Sequence, residues 1–483
     1  MTIMSQELKF GGNMELSARG DEKSEQDSEM EFESITQIWR NGLVMFTGFL
    51  LLFTAFQSLQ FLQSSLFIDE GMGTTVLAVI YGSLIVSAFF LPSPMIGTLG
   101  CKWTLSVSMG CYIMYMAAHF YARWELFVPA AVIVGMGAAP LWASKSHYLN
   151  LIAHNYAKLK GVTNDAATNL FFGVFFLFFQ SASVWGNIIS SQVLTPDDVN
   201  STITPLPEEE LALCGKAFDP TLKPNNTNLD PPPQSKLFML AGIYSGCACL
   251  AVTVILLALQ QLPSERSKAR CGGCTRTSCS LTLLASTFLH LRDRRQLLLI
   301  PITMFSGLEQ AFFASDYMQA FVTCPLGSWW VGYVAICYGV VDAICSASFG
   351  KLVQYFGRIP FFILGAAINV SLVIAFLTIN VTQDRVYIYF VFAGLWGMAD
   401  AVWQTQINAL YGVLFIANGE AAFSNYRLFE SIGFIMAFGY QSHLILPIKA
   451  YILLTFLCLG MAGYGILEYL ERKNKDWHLN DTS

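Results

Sequence analysis

Apolar residues in this chain come in long unbroken runs, without the alternation of a strand or the one-sided stripe of a helix that faces water. Twelve such runs, each about the length that crosses hydrocarbon as a helix, lie near 43–63, 76–96, 103–121, 126–148, 169–190, 237–262, 297–322, 330–350, 360–380, 386–407, 426–446 and 449–469. Strands of a membrane barrel would be half as long and would alternate, so the pattern predicts an all-α polytopic membrane protein embedded in a lipid bilayer.

The polar segments set the organisation. Residues 1–37 hold nine acids against Lys9, Arg19 and Lys23, with few large apolar groups, and read as a disordered acidic cytosolic tail serving as a solvated spacer. They lack the apolar core of a cleavable signal peptide, so the first span acts as its own signal. With both termini inside, the inner segments collect about 21 of the 27 Lys and Arg, the asymmetry that retains loops in the cytosol. The formal charge of −6 therefore says little about partners, because much of the acid sits in one tail. The expected division is a six-helix bundle over 38–262, a cytosolic linker over 263–296, a second bundle over 297–470 and a cytosolic tail over 471–483. Between the fifth and sixth spans, 191–236 is rich in proline and reads as an exofacial loop. Its Asn200-Ser-Thr and Asn225-Asn-Thr are glycan acceptor sequons.

An internal repeat supports two halves. Gly100 and Gly357 lie 257 residues apart, Asn169 and Asn425 256, and Gly137 and Gly397 260. A single large offset with six spans per copy means two pseudo-symmetric six-helix halves in parallel orientation, meeting at a central interface.

The segment Gly394-Leu-Trp-Gly-Met-Ala-Asp-Ala-Val-Trp-Gln-Thr-Gln-Ile-Asn-Ala-Leu-Tyr-Gly412 places Asp400 inside a membrane helix. Together with Leu50–Phe56, Gly137–Trp142, Phe179–Asn187 and Ala421–Arg427, it resembles the signature segments of the unc-93 family. That family is a branch of the major facilitator superfamily, and the likeness is to its homolog A members. The resemblance implies a major-facilitator-like bundle of twelve helices and a partner among integral membrane proteins, such as a two-pore-domain potassium channel. In the homolog B branch the partners are nucleic-acid-sensing receptors that need an escort. Ser93–Lys102 and Gly350–Arg358 resemble the superfamily's inner loop, whose glycines suit a tight turn at positive φ. The acid usual in that loop is replaced by Gly97 and Gln354, which fits a scaffold better than an alternating transporter.

An ionisable group within a span costs several kcal/mol unless it faces the bundle interior or water, which makes each one a candidate site. Here the set is Lys145, Glu309, Asp316, Asp342, Asp400, Arg427 and Glu430. By the family resemblance the first, fourth, seventh and tenth helices line a central cavity, so Lys145 and Asp400 are expected to approach one another as a gate or solute site. Glu309 and Asp342 are further candidates. Gln57, Gln60 and Gln63, spaced by three, put their amides on one face of the first helix, either lining that cavity or joining helices. Arg427 and Glu430 are spaced for a local structural pair. Cys214 and Cys324, alone among twelve cysteines, fall in exofacial loops and are expected to form a disulfide.

Nothing points to catalysis, a cofactor or a metal: there is no phosphate loop, nucleophile elbow or zinc-protease pair. Cys271, Cys274 and Cys279 lack a fourth zinc ligand beyond His290 at loose spacing. No basic surface supports nucleic-acid binding. The readings that remain are a non-enzymatic regulator of a membrane partner such as a potassium channel, a solute carrier moving a small solute with protons, and a trafficking escort.

Overall fold

The computed structural model describes residues 34–68, 71–196, 205–222, 225–261, 289–415 and 419–480. Among the described residues twelve long helices follow in order: α1 (Ile35–Leu66), α2 (Met72–Phe90), α3 (Pro92–Ala118, broken by a kink at Gly100), α4 (Trp124–Lys160), α5 (Asn164–Leu194), α6 (Gln234–Ala258), α7 (Arg294–Ala311), α8 (Trp330–Phe356), α9 (Ile359–Thr378), α10 (Val386–Leu414), α11 (Gly419–Tyr440) and α12 (Leu446–Asn480). Among the described residues, ten helices are long and apolar enough to cross a membrane. α3 and α11, the latter carrying Asn425, Arg427 and Glu430, fall outside that set but pack in the same bundle.

Hydropathy finds the stretch that needs hydrocarbon, whereas caps decide where a helix ends. α1 begins at Ile35, inside the expected tail, where the Ser34 hydroxyl accepts a hydrogen bond from the Gln37 amide. α4 continues twelve residues past position 148 to a left-handed cap at Gly161, and α12 runs on through what was expected to be a tail from 471. α7 starts within the expected linker, capped by Asp293. Asn200, Cys271, Cys274 and Cys279 lie outside the described residues.

The repeat is visible in the packing. α1 against α5 and α6 is matched by α7 against α11 and α12, and α4 against α2 and α3 is matched by α10 against α8 and α9. Across the two halves, α5 packs on α8 and α11 packs on α2, a pair of contacts that the half-exchange converts into one another. Gly100 and Gly357 take φ of 77° and 73°, the left-handed turn their loops call for. A Cβ on Gly397 would lie 2.5 Å from the Tyr338 carbonyl oxygen, so only glycine lets α10 approach α8 this closely. Gly135 makes the equivalent approach of α4 to Ile80 and Ser83 of α2.

The connection after α5 is not a bare loop. It forms short helical turns at Glu208–Leu211, Gly215–Ala217 and Thr227–Leu229 and lies on the second half. Cys214 and Cys324 form a disulfide with Cα atoms 5.6 Å apart. Asn226 donates to the Cys324 carbonyl at 2.9 Å, the Leu206 amide to Gln383 at 3.1 Å, and the Leu446 amide to the Phe218 carbonyl at 3.4 Å. One segment of the first half thus clasps three connections of the second.

Candidate functional site

Three buried carboxyls converge from three helices of the second half. Glu309 comes from the last turn of α7, Asp342 from α8 and Asp400 from α10, with 0%, 5% and 3% of their surface exposed. The close approach at Gly397 brings α10 against Tyr338 of α8, whose hydroxyl donates to Asp400. Glu309 lies beside Asp400, and both Glu309 oxygens, Asp400 Oδ1 and the indole nitrogen of Trp396 are buried without a hydrogen-bond partner. Asp342 accepts from Ser346 at 3.1 Å and from Gln180 at 3.0 Å, and Gln180 belongs to α5 of the other half.

Among the described residues, none of the three acids makes an ion pair. The rings of Phe313, Tyr338 and Trp396 stack around them, Phe313 and Tyr338 with centroids 4.4 Å apart, and keep the acids dry. Opposed carboxyls in such a place are able to hold protons, and the Gln180 bond joins Asp342 to the other half.

Lys145 does not join this group. Among the described residues it makes no ion pair with Asp400. The Lys145 ammonium instead lies over four rings, at 5.0 Å from Trp142, 5.1 Å from Phe172, 4.4 Å from Phe175 and 5.6 Å from Phe176. The expected approach of Lys145 to Asp400 is thereby corrected.

The glutamine stripe is divided. Gln60 donates to Tyr81 at 3.3 Å, and Gln63 bonds Tyr115 and lies 3.1 Å from His119. Gln57 Oε1 has no partner. Two of the three therefore join α1 to its neighbours. Arg427 and Glu430 pair at 2.7 Å, and Tyr426 also donates to Glu430 at 2.9 Å.

One buried pair was not legible in sequence. Lys449 Nζ lies 2.6 Å from Asp316, with each side chain 1% exposed, and also donates to the Gln441 carbonyl at 2.5 Å. Gln441 donates to Gln319 and accepts from Thr74 of α2 at 3.1 Å, so the network ties both halves together. It sits on Phe312–Thr323, where α7 continues with π-helical turns. Asp316 stood as a buried acid needing a cation, and Lys449 begins an apolar span; those two facts together were the available signal. Among the described residues, no group of His, Cys, Asp and Glu is arranged to hold a metal ion.

With this geometry in hand, comparisons with known proteins place the chain. The family model described as "Ion channel regulatory protein UNC-93" matches residues 64–464. "Protein unc-93 homolog A" of Bos taurus is 45% identical over 439 residues, covering 90% of this chain and 94% of its own. "Putative potassium channel regulatory protein unc-93" of Caenorhabditis elegans is 33% identical over 450 residues, covering 92% of this chain and 62% of its own. Among solved structures, a D-xylose-proton symporter superposes with a TM-score of 0.59 at 12% identity, over 88% of this chain and 96% of the symporter, a likeness of fold. The chain is a multi-span integral membrane protein of the UNC-93 family, built on the major facilitator fold.

Proposed function

We propose that this protein is a non-enzymatic regulator of an ion channel, a potassium channel of the plasma membrane being its partner. The observation that carries this reading is the family match over 64–464, together with 33% identity to a worm relative that has potassium channel regulation in its name. The stapled end of the bundle agrees with a scaffold, since the disulfide and the clasping segment tie the halves together. In this reading both termini are cytosolic, and Asn200 and Asn225 carry glycans on the opposite side. Asn225 is exposed, as glycan transfer requires. Co-expression with two-pore-domain potassium channels in oocytes is expected to change current amplitude or open probability. Currents unaltered across that channel class, with the protein present at the surface, overturn the reading.

The acid trio favours a second reading, a proton-coupled carrier of a small solute, with Glu309, Asp342 and Asp400 as the proton-binding groups. Proteoliposome flux under an imposed pH gradient separates the two. Solute accumulation that Asp400→Asn abolishes would establish transport, and absence of any pH-driven accumulation leaves the regulator.

A further inference from the structure

At the end of the bundle away from the disulfide, the tips of α7, α8, α9, α10 and α12 enclose a cavity of about 630 Å³. Its walls differ in character. Phe356, Pro360 and Val413 line it with apolar surface, and Arg295, Arg358 and Arg472 line it with guanidinium groups. Arg358 is oriented by Glu468, and Arg295 by Asp293 at 2.8 Å and the Leu414 carbonyl at 3.3 Å, so two of the three are held in place before any ligand arrives. Glu471 also lines the cavity.

Charge at the mouth is not balanced. Exposed Arg292, Arg294 and Lys473 adjoin the lining residues, which sets six cations against Asp293, Glu468 and Glu471. The mouth also lies at the level of the membrane surface. Tyr355, Phe356 and Tyr469 beside it are 81%, 67% and 66% exposed, and aromatic rings bared at the ends of membrane helices belong in the headgroup layer.

A site with fixed guanidinium groups, an apolar wall and an opening at headgroup depth suits a phosphorylated lipid. We propose that this cavity binds the headgroup of an inositol phospholipid carrying phosphate monoesters, drawn from the leaflet on the arginine-rich side. The phosphates engage Arg295, Arg358 and Arg472 by paired N–H···O bonds, which the planar guanidinium makes with phosphate and an ammonium does not. The glycerol and upper acyl chains lie on the wall of Phe356, Pro360 and Val413. A cavity of this size lies within the range of sites that bury small ligands, and basic recesses between helix ends are where such headgroups lodge.

The test uses the full chain in phosphatidylcholine nanodiscs with fluorescent short-chain phosphatidylinositol 4,5-bisphosphate as probe. Saturable binding is expected, weakened at least tenfold in Arg295→Gln/Arg472→Gln and about threefold in Arg472→Gln alone. Because Arg472 is exposed, the single variant is expected to melt as the native protein does, and it keeps the test valid should the double variant fold poorly. Unchanged affinity in Arg472→Gln and the double variant overturns the proposal. So does equal competition by phosphatidylserine, which would mean bulk charge alone, or free inositol trisphosphate binding as tightly as the lipid, which would mean a soluble ligand.

Discussion

The two halves share one packing plan and fill it with opposite chemistry. Both place a helix pair in close contact through a glycine, Gly135 in the first half and Gly397 in the second. Behind Gly135 the interior is aromatic, and Lys145, the one cation buried there among the described residues, rests on rings. Behind Gly397 lie three carboxyls that make no ion pair among the described residues, and further out the paired Asp316 and Lys449. Backbone approach is a property of the repeat, whereas the charges are particular to each copy. The second half is therefore where function is to be sought.

The largest effect that would break this comparison is expected at Lys449. Lys449→Met strands Asp316 in a dry interior and is expected to cost about 3–5 kcal/mol, read as thermal unfolding in detergent. Lys449→Met/Asp316→Leu is expected to recover most of that loss, and no recovery would mean that the network around Gln441, more than the charge pair, holds the site.

Next in size, Gly397→Val and Gly135→Val each force two backbones apart, an overpacking of about 1–3 kcal/mol or more. Matching losses in yield and melting temperature sharpen the claim of equivalent packing, and tolerance of one but not the other removes it.

Smaller still is the response of the two unpaired sites. Lys145→Met gives up contacts worth up to about 2 kcal/mol but also a desolvated charge, so a net change within about 1 kcal/mol is expected in the same melting experiment. Asp400→Asn keeps an acceptor for Tyr338 and is expected to leave folding intact, so that any loss appears in channel current or flux alone.

The smallest concerns Asp293. The Arg295 guanidinium beside it holds its carboxyl below the ordinary carboxylate range. A depressed carboxyl contributes stability above its unfolded pKa and loses it as pH falls through the folded value. Asp293→Ala is therefore expected to cost about 1 kcal/mol near neutrality through the lost cap, with its melting curve converging on that of the native protein in acid.

Long apolar runs announced the helices, since hydrocarbon tolerates little else, and the 257-residue offset of Gly100 and Gly357 announced two halves, since equal turns recur where equal bundles do. The pair Cys214 and Cys324 was legible because only two cysteines fell on that side of the membrane. Asp400 was legible as a site because an acid in a span is rarely idle. Its company was not. Whether Asp400 meets Lys145, 255 residues away in sequence, or Glu309 and Tyr338 depends on how the helices are rotated and packed against one another. The bond between Lys449 and Asp316 likewise rests on how α12 lies against the widened turns of α7. Hydrophobicity is a property each residue carries alone, so it can be read along a line; a charge acquires meaning from the group opposite it, and only the packed helices supply that group.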